Sequence, residues 1–599
     1  MTEINRYAII RKWALIGFLI LITFISGLAI YLNYYWKPII TQRIKETVYQ
    51  SSDGLYRIDF DNVRMNFVTG RMHILNIRFT PDTLVYNEMK RDSIAPRHLY
   101  TVALAELILK RINPWKVYFD KDLEIGSIEI DHPSLELNFT DLKNNNGTLK
   151  ENKRTAYQRL APYLKSIKIG DVIFKNADFK YIDHSLNGKN VTALKGLYIK
   201  ISDLLIDSVS QFDSSRLYYT RDIYAELMGY NTITLDKNYS IQIKEFRAST
   251  AGAYVRMNGF RVAPNFGEME FSRRFKFQKA RYTLNIEDVQ LNKVDYELLN
   301  RERRISASSL ILTKANLSIF LNRQIPDSIR NKGMNFPQIA LQRFKLNTTV
   351  DSVLLHNSRV DYSEYNPGSL RKGIVTFSQI NGTIANVTND SISLIKNKYS
   401  DVKLTSLLMD RGRLDVNMKF NLNDPGGAFE FGGRLGNIDA EMLNSAIRPL
   451  SLIEIKSGFI DNMIFKGTGS LNGVRGKLTC YYKDLKIALL EINSKTIRLK
   501  RKGIASIFAN ILIIKDDNPS PGAAVRTSNF LFKRPAHSSF FNMIWKGFAE
   551  ALLQTIGFDS ATQREIKVRL RKMESERIAR DGRRDNRLRK RDARRNNRN

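Results

Sequence analysis

The stretch Ile169–Tyr181 reads IGDVIFKNADFKY, and its pattern recurs without gaps at two other places in the chain. The other copies are IGSIEIDHPSLEL at Ile125–Leu137 and VDSVLLHNSRVDY at Val350–Tyr362. Apolar residues coincide in all three copies at the first, fourth, sixth, eleventh and thirteenth positions. Such a recurrence indicates a fold that grows by adding similar β units. A chance match among short alternating stretches of a β-rich chain is the alternative.

The spacing inside the repeat predicts a strand with a bulge, followed by a bend. The first apolar step is three residues instead of the two that a strand requires, and Gly126, Gly170 and Asp351 lie in that step. A bulge there would need a residue that tolerates a positive φ. The short, mainly polar segment that follows, such as KNAD at 175–178, predicts a turn or bend.

Composition and charge narrow the classes of partner. The chain has 599 residues, of which 43% are hydrophobic, so it can bury a large core. Its formal net charge of +34 indicates a phosphate-bearing partner, either nucleic acid or anionic lipid. The single cysteine, Cys480, excludes an internal disulfide framework and leaves the redox compartment open.

Residues 13–36 contain no charged side chain, and this length suits a helix that crosses a bilayer. Aromatic residues stand at both ends, as they do at membrane interfaces. Basic residues before the run place the short N-terminus in the cytoplasm by the positive-inside rule. A cleaved signal peptide is the alternative. The residues that we expect to form the membrane anchor include Trp13, Leu15, Leu21, Tyr35 and Trp36.

After the anchor, the first elements are mixed. Pro38 precedes a predicted helix at Ile39–Tyr49, and alternating stretches predict strands at Val63–Phe67 and Ile74–Phe79. The apolar spacing of Leu99–Ile112 predicts a helix that ends before a proline.

Beyond residue 112 the pattern is overwhelmingly that of strands. Arg281–Glu287 alternates, and Arg413–Asn421 places apolar residues on one face and polar residues on the other. Two-faced strands build an antiparallel sheet with one apolar side. A long sheet curled around that side would form a groove, whereas a pair of ordinary β-sandwiches is the alternative. The candidate groove-lining residues are Ile128, Ile130, Val172, Phe174, Val353, Leu355, Leu414, Val416, Met418 and Phe420.

The C-terminal part has a different residue pattern from the β-rich region before it. Ile504–Ile514 and Phe540–Ile556 are apolar and have helical spacing. They predict core helices, a plug at the end of the groove, or helices at a membrane interface. From Arg564 onward arginine and lysine dominate, which predicts a solvated tail that either docks on anionic envelope material or only solubilises the chain. The candidate distal membrane contacts are Phe541, Trp545, Phe548, Arg583, Arg584 and Arg589.

No pattern of catalytic or metal-binding residues stands out. The six histidines are scattered, and none has metal-ligand spacing. The glycine-rich run GTGSLNGVRGK at Gly467–Lys477 departs from phosphate-binding patterns and predicts a hairpin turn. The carboxylates of Asp516 and Asp517 lie in a predicted loop. We therefore expect no enzyme activity and no cofactor, and the tail lacks the aromatic residues that would favour nucleic acid.

The sequence resembles the AsmA-like proteins of Gram-negative envelopes, and in particular TamB-related proteins of the Bacteroidetes type. The resemblance covers most of residues 10–560. It depends on the order and residue pattern of the predicted elements, since no single motif is invariant. The stretches that carry it are ADFKYID at 177–183, ALKGLYIKISDLLID at 193–207, FEFGGRLGNIDAEMLN at 429–444, IKSGFIDNMIFKGTG at 455–469 and FNMIWK at 541–546. The Arg-rich tail lies outside the family's pattern.

The resemblance implies a mostly β protein, with a transmembrane helix followed by an elongated, curled antiparallel sheet, that is anchored in the inner membrane and handles phospholipid in the periplasm. Anionic outer-membrane lipid or envelope proteins are further partners. The alternative function is a scaffold that assists assembly of outer-membrane proteins. The domains expected on this basis are residues 1–12 in the cytoplasm, the anchor 13–36, two groove regions at 37–330 and 331–560, and the tail 561–599.

Overall fold

The computed structural model describes residues 41–42, 44–46, 48–50, 52–66, 69–140, 155–184, 190–327, 330–492, 499–501 and 515–557. The predicted anchor, the predicted helix at 504–514 and the Arg-rich tail lie outside these residues. Among the described residues, no helix has the length and apolar character needed to cross a bilayer. The described chain is mostly β, as expected.

The described residues form 23 strands and a few short helices. The strands are β1 (Tyr56–Asp59), β2 (Asn62–Asn66), β3 (Arg71–Pro81), β4 (His98–Ile112), β5 (Asp122–Asp131), β6 (Ser134–Phe139), β7 (Ser166–Asp183), β8 (Asn190–Ile206), β9 (Asp222–Ile233), β10 (Tyr239–Ser249), β11 (Tyr254–Pro264), β12 (Arg281–Asn292), β13 (Arg304–Thr313), β14 (Asn316–Asn322), β15 (Asn347–Asn366), β16 (Arg371–Thr388), β17 (Tyr399–Leu408), β18 (Gly412–Asn421), β19 (Phe429–Asp439), β20 (Ile453–Ser470), β21 (Gly473–Ile492), β22 (Leu499–Arg501) and β23 (Thr527–Lys533).

The helices connect strands or close their ends. They are α1 (Thr83–Arg91), α2 (Pro114–Asp120), α3 (Ala156–Leu160), α4 (Glu268–Arg273), α5 (Tyr296–Glu302), α6 (Pro337–Gln342), α7 (Ser391–Lys396), α8 (Asn444–Ser451) and α9 (Phe540–Thr555), with 3-10 turns at Ser210–Phe212, Lys332–Asn335 and Ala440–Leu443.

The chain divides into two units. The first unit comprises residues 1–231, 242–259 and 291–302. The second comprises residues 232–241, 260–290 and 303–599.

In the first unit, two copies of the sequence repeat lie side by side. Strands β5 and β6 pair in parallel with β7, and the register places Ile125 opposite Ile169 and Leu137 opposite Tyr181. Each residue of one copy therefore faces its equivalent in the next. The repeat is a real structural unit, because chance similarity would not place the copies in register.

The second unit contains the third copy and a further copy that the sequence comparison missed. Strands β13 and β14 pair in parallel with β15, with Ala307 opposite Val350 and Ile319 opposite Tyr362. Residues 307–319, ASSLILTKANLSI, are thus the partner copy. They escaped notice because alanine and serine occupy the first two positions, where the other copies have a large apolar residue followed by glycine or aspartate.

The eighth position of each copy has a left-handed backbone, which confirms the predicted bend. The φ angles are 47° at His132, 53° at Asn176, 50° at Lys314 and 48° at Asn357. In the first copy the bend separates β5 from β6, whereas β7 and β15 continue through it. Neighbouring strands therefore bend at the same level.

The predicted bulge residues, by contrast, do not have a positive φ. At the level of Gly126, Gly170 and Asp351, the left-handed residue belongs to the adjacent strand. The three left-handed residues are Arg111 (φ 57°), Asp203 (φ 51°) and Asn386 (φ 55°). Gly170 has a different role, because a Cβ at this position would lie 2.5 Å from the Gly126 carbonyl oxygen. Glycine there allows the two strands to approach closely.

The predicted helix at Leu99–Ile112 is wrong, since these residues form the strand β4. Irregularities in the strand explain the error. Two three-residue steps between apolar positions imitate helical spacing. Asn76 (φ 54°), on the neighbouring strand β3, lies opposite the first step, and Arg111 lies inside the second. The apolar positions are Val102, Leu104, Leu107, Leu109 and Ile112.

Several other predictions are confirmed. The described residues between 41 and 50 are helical, and the predicted strands at Arg281–Glu287 and Arg413–Asn421 lie in β12 and β18. The glycine-rich run is a hairpin in which Ser470 pairs with Gly473. The all-antiparallel expectation needs correction, because the repeat copies pair in parallel.

The bend predicts a selective response to substitution at Asn176. We expect Asn176→Val to lower the free energy of unfolding by about 1–2 kcal/mol, because a Cβ-branched side chain disfavours the left-handed backbone. Asn176→Gly is the matched control and should retain stability, since glycine adopts this conformation readily. Urea denaturation of both variants measures the difference. Equal stability of the valine and glycine variants would contradict the role of the bend.

Candidate functional site: the apolar face of the sheet

In the first unit, the strand register aligns apolar side chains into rows that cross several strands. One row consists of Leu107, Ile130, Phe174 and Ile199, on β4, β5, β7 and β8. Directly opposed residues of neighbouring strands point to the same face of a sheet. The second row consists of Leu109, Ile128, Val172, Ile201 and Ile223. We call these two sets the apolar rows.

The apolar rows are only partly withdrawn from solvent. Val172 is buried, with 9% of its surface exposed, whereas Ile128, Ile130 and Phe174 are half-buried. The remaining residues of both rows likewise keep part of their surface in contact with solvent. The four candidates in this unit thus lie together on one accessible apolar surface.

The opposite face of the same strands is polar and paired. Glu129 accepts hydrogen bonds from Lys110 and, at 3.2 Å, from Lys175. The hydrogen bond from Lys110 is the main cause that lowers the pKa of Glu129. Lys180 pairs with Glu136 at 2.8 Å on the next level of the strands. Ion pairs between partly exposed groups belong on a solvated surface, so the two faces differ sharply.

In the second unit, the candidates Val353 and Leu355 also occupy aligned positions. Val353 lies between Leu310 on β13 and Ile384 on β16, and it is buried. Leu355 lies opposite Gly382 and is half-buried. Both residues belong to the face that the repeat pattern assigned to them.

Helix α9 covers the same face over the C-terminal strands. The Phe540 ring lies 5.8 Å from that of Phe420 and 4.9 Å from that of Phe429, measured between centroids. Further along the helix, the Phe548 ring lies 4.7 Å from that of Phe465. This part of the sheet therefore has a packed helix on its apolar face.

The glycines of the C-terminal strands make room for these rings. A Cβ at Gly467 would lie 2.7 Å from the Phe431 ring, and one at Gly476 would lie 2.6 Å from the Phe530 ring. Each ring thus packs over a glycine of the adjacent strand. Close aromatic packing explains why this region is rich in both phenylalanine and glycine.

The covering helix changes the interpretation of four candidate lining residues. Phe420 is 7% exposed beneath Phe540, so it is a core residue and not part of an open lining. Leu414, Val416 and Met418 are partly buried against the same cluster. A charged substitution at these positions would test core stability instead of ligand binding.

The three candidate distal membrane contacts on helix α9 differ in their exposure to solvent. Phe541 is 71% exposed and Trp545 is 54% exposed. Phe548 points inward and packs against the sheet, so its assignment to a membrane-facing surface is wrong. Arg583, Arg584 and Arg589 lie outside the described residues.

A polar anchor that the sequence analysis did not identify fixes the C-terminal end of α9. Arg526 donates to the Thr555 carbonyl at 3.0 Å, and its backbone N–H donates to the side chain of Asn518 at 2.8 Å. Asn518 in turn donates to the Cys480 carbonyl at 2.6 Å. The loop of Asp516 and Asp517, which Asn518 directly follows, therefore has a structural role.

Comparison with protein families and with curated proteins found no match: no protein-family model matches the chain, and no curated protein has a similar sequence. Within the described ranges, histidine, cysteine and acidic side chains form no group that could hold a metal ion.

Two adjacent phenylalanines provide a matched test of the covering helix. We expect Phe540→Ala to lower the free energy of unfolding by about 3–5 kcal/mol, because it leaves a cavity among four aromatic rings. Phe541→Ala removes a largely exposed ring and should change it by no more than about 0.5 kcal/mol. Urea denaturation measures both variants. Similar losses would show that the helix does not pack as described.

The single cysteine gives a chemical test of the same core. Cys480 is 2% exposed, and burial raises the pKa of its thiol to about 12. The reactive thiolate is therefore scarce at pH 8, so we expect a maleimide reagent to leave the native protein unmodified and to label it in urea. Rapid labelling of the native protein, followed by mass spectrometry, would contradict this packing.

Proposed function

We propose that this protein handles phospholipid, with acyl chains lying on the apolar rows and headgroups remaining in water. The observation that supports the proposal is the accessible apolar face of the first unit, set against an ion-paired opposite face. Apart from Val172, the rows are half-buried, and a continuous apolar surface that keeps contact with water is typical of a binding site.

The dimensions of the rows suit an acyl chain. The row through Val172 crosses five strands, and four strand spacings of about 4.8 Å give a length of about 19 Å. The acyl chains of one leaflet fill about 15 Å, half of the hydrocarbon thickness of a bilayer. Each methylene group moved from water to an apolar surface contributes about 0.8 kcal/mol, so even partial contact would hold a chain.

The resemblance to AsmA-like proteins supports phospholipid as the ligand class and the periplasm as the compartment. An inner-membrane anchor at residues 13–36 would hold the sheet beside a source of lipid. The net charge of +34 fits a chain that works next to anionic lipid. Lipid transfer for outer-membrane biogenesis is thus the proposed role, and a scaffold that binds envelope proteins is the competing one.

Neighbouring residues on opposite faces provide the decisive test. We expect the full-length protein to retain phospholipid through gentle purification, and Ile130→Asp with Phe174→Asp to lose most of it, because a carboxylate on the rows would be desolvated beside the acyl chain. Native mass spectrometry measures the bound lipid.

The control is Ile108→Asp with Ile173→Asp, which adds the same two charges on the polar face, where both isoleucines lie opposite Glu129. Thermal unfolding confirms that both variants fold. Full lipid retention by the row variant, or equal loss in the control, would overturn the lipid proposal. Normal outer-membrane permeability in cells with the row variant would favour the scaffold.

A further inference from the structure

The last strands of the second unit carry a basic surface on the side away from α9. Phe465, Leu478 and Phe530 point into the core beneath the helix. Because side chains alternate along a strand, the residues between these core positions point to the opposite side. Its exposed basic residues, which define the basic face, are Lys466 on β20, Arg475 and Lys477 on β21, and Lys533 on β23.

The four basic side chains of this face form no ion pairs with the described carboxylates, although Glu430 lies on the same side of the sheet. Among the residues that the structure describes, none of these four side chains has an acidic oxygen within 4.0 Å, although Lys483 nearby pairs with Asp461 at 3.5 Å. Lys466 lies directly opposite Lys477, an arrangement that is unfavourable for like charges. In the first unit, by contrast, the lysines of the polar face pair with glutamates. The unpaired charge indicates an external anion.

Large apolar side chains are exposed among these charges. Leu531 is 64% exposed and lies directly opposite Arg475, and Ile464 is 47% exposed beside the same strands. An open depression of about 560 Å³ lies between Lys419, Glu430, Arg475, Leu531 and Lys533, among other residues. Cations and exposed aliphatic groups therefore share one surface.

We propose that the basic face docks on the surface of an anionic lipid bilayer. Lysine and arginine would contact the phosphates, while Leu531 and Ile464 would enter the region between headgroups and acyl chains. Nucleic acid would also attract the charges, but Leu531 and Ile464, the large side chains most exposed among them, are aliphatic and favour the interior of a bilayer over a base. This inference is independent of lipid carriage by the apolar rows, since a different unit and a different chemistry support it.

A fluorescent probe tests the contact directly. The full-length protein, held in nanodiscs of neutral lipid, receives an NBD fluorophore through Leu531→Cys, and burial of Cys480 keeps the labelling specific. We expect a blue shift, and quenching by a spin-labelled lipid, on addition of phosphatidylglycerol vesicles but not of phosphatidylcholine vesicles. The control Lys168→Cys, on an exposed position of β7, should give neither signal.

Charge reversal supplies the second measurement. We expect Lys466→Glu with Lys477→Glu to weaken binding to phosphatidylglycerol vesicles at least about tenfold. The control reverses the charge at two exposed lysines of the first unit, Lys168→Glu with Lys195→Glu, and should change the affinity less than about twofold. High salt should weaken the binding of the wild-type protein.

Three results would overturn the proposal. The probe at Leu531 could show no change while the vesicles still bind, which would assign docking to another part of the chain. The two charge-reversed variants could bind equally well. The face variant could instead bind vesicles normally and lose affinity for a short single-stranded oligonucleotide, which would identify a nucleic-acid surface. Loss of lipid retention in the row variant, without an effect on vesicle docking, would concern only the proposed lipid carriage.

Discussion

The parallel register between copies of the repeat is the constraint on which the rest of the structure depends. A strand has a period of two, so a slip by one residue would move every apolar side chain to the polar face. In the observed register, Val172 lies beside Ile128, while Asp171 lies beside Ser127. The close approach at Gly170 and the shared left-handed bend hold equivalent levels together. One alignment therefore produces both the apolar rows and the ion-paired face.

The same alignment shows which parts of the fold are predictable from the sequence. Strands with strict alternation, such as Arg413–Asn421, are predictable because apolar and polar residues alternate over their whole length. The strand β4 was not predictable in this way, since its two three-residue steps come from irregularities that involve a neighbouring strand. Residues 307–319 were also missed, because their place in the repeat is defined by pairing with β15 and not by residue type. Long-range pairing supplies this information, and local patterns do not.

Local patterns likewise predicted only part of the candidate site. The apolar period correctly identified Ile130 and Phe174 as residues of one face, and equally identified Phe420. It could not show that α9 returns from more than 100 residues away in sequence and covers Phe420, whereas the rows of the first unit stay accessible. Nor could it show that lysines such as Lys466 form no ion pairs with the described carboxylates. An accessible apolar face and an unpaired basic face together suit a protein that works at membranes.

Photocrosslinking tests the central claim most directly, namely that acyl chains lie on the apolar rows. A photoreactive amino acid is placed in turn at Leu107 and Ile199 on the rows, and at Ile108 and Lys200 on the polar face of the same strands. Irradiation of the full-length protein in native membranes, followed by mass spectrometry, detects lipid adducts. The account predicts adducts at the row positions and none at the polar positions. Absence of adducts at the rows, or equal yields on both faces, would contradict it.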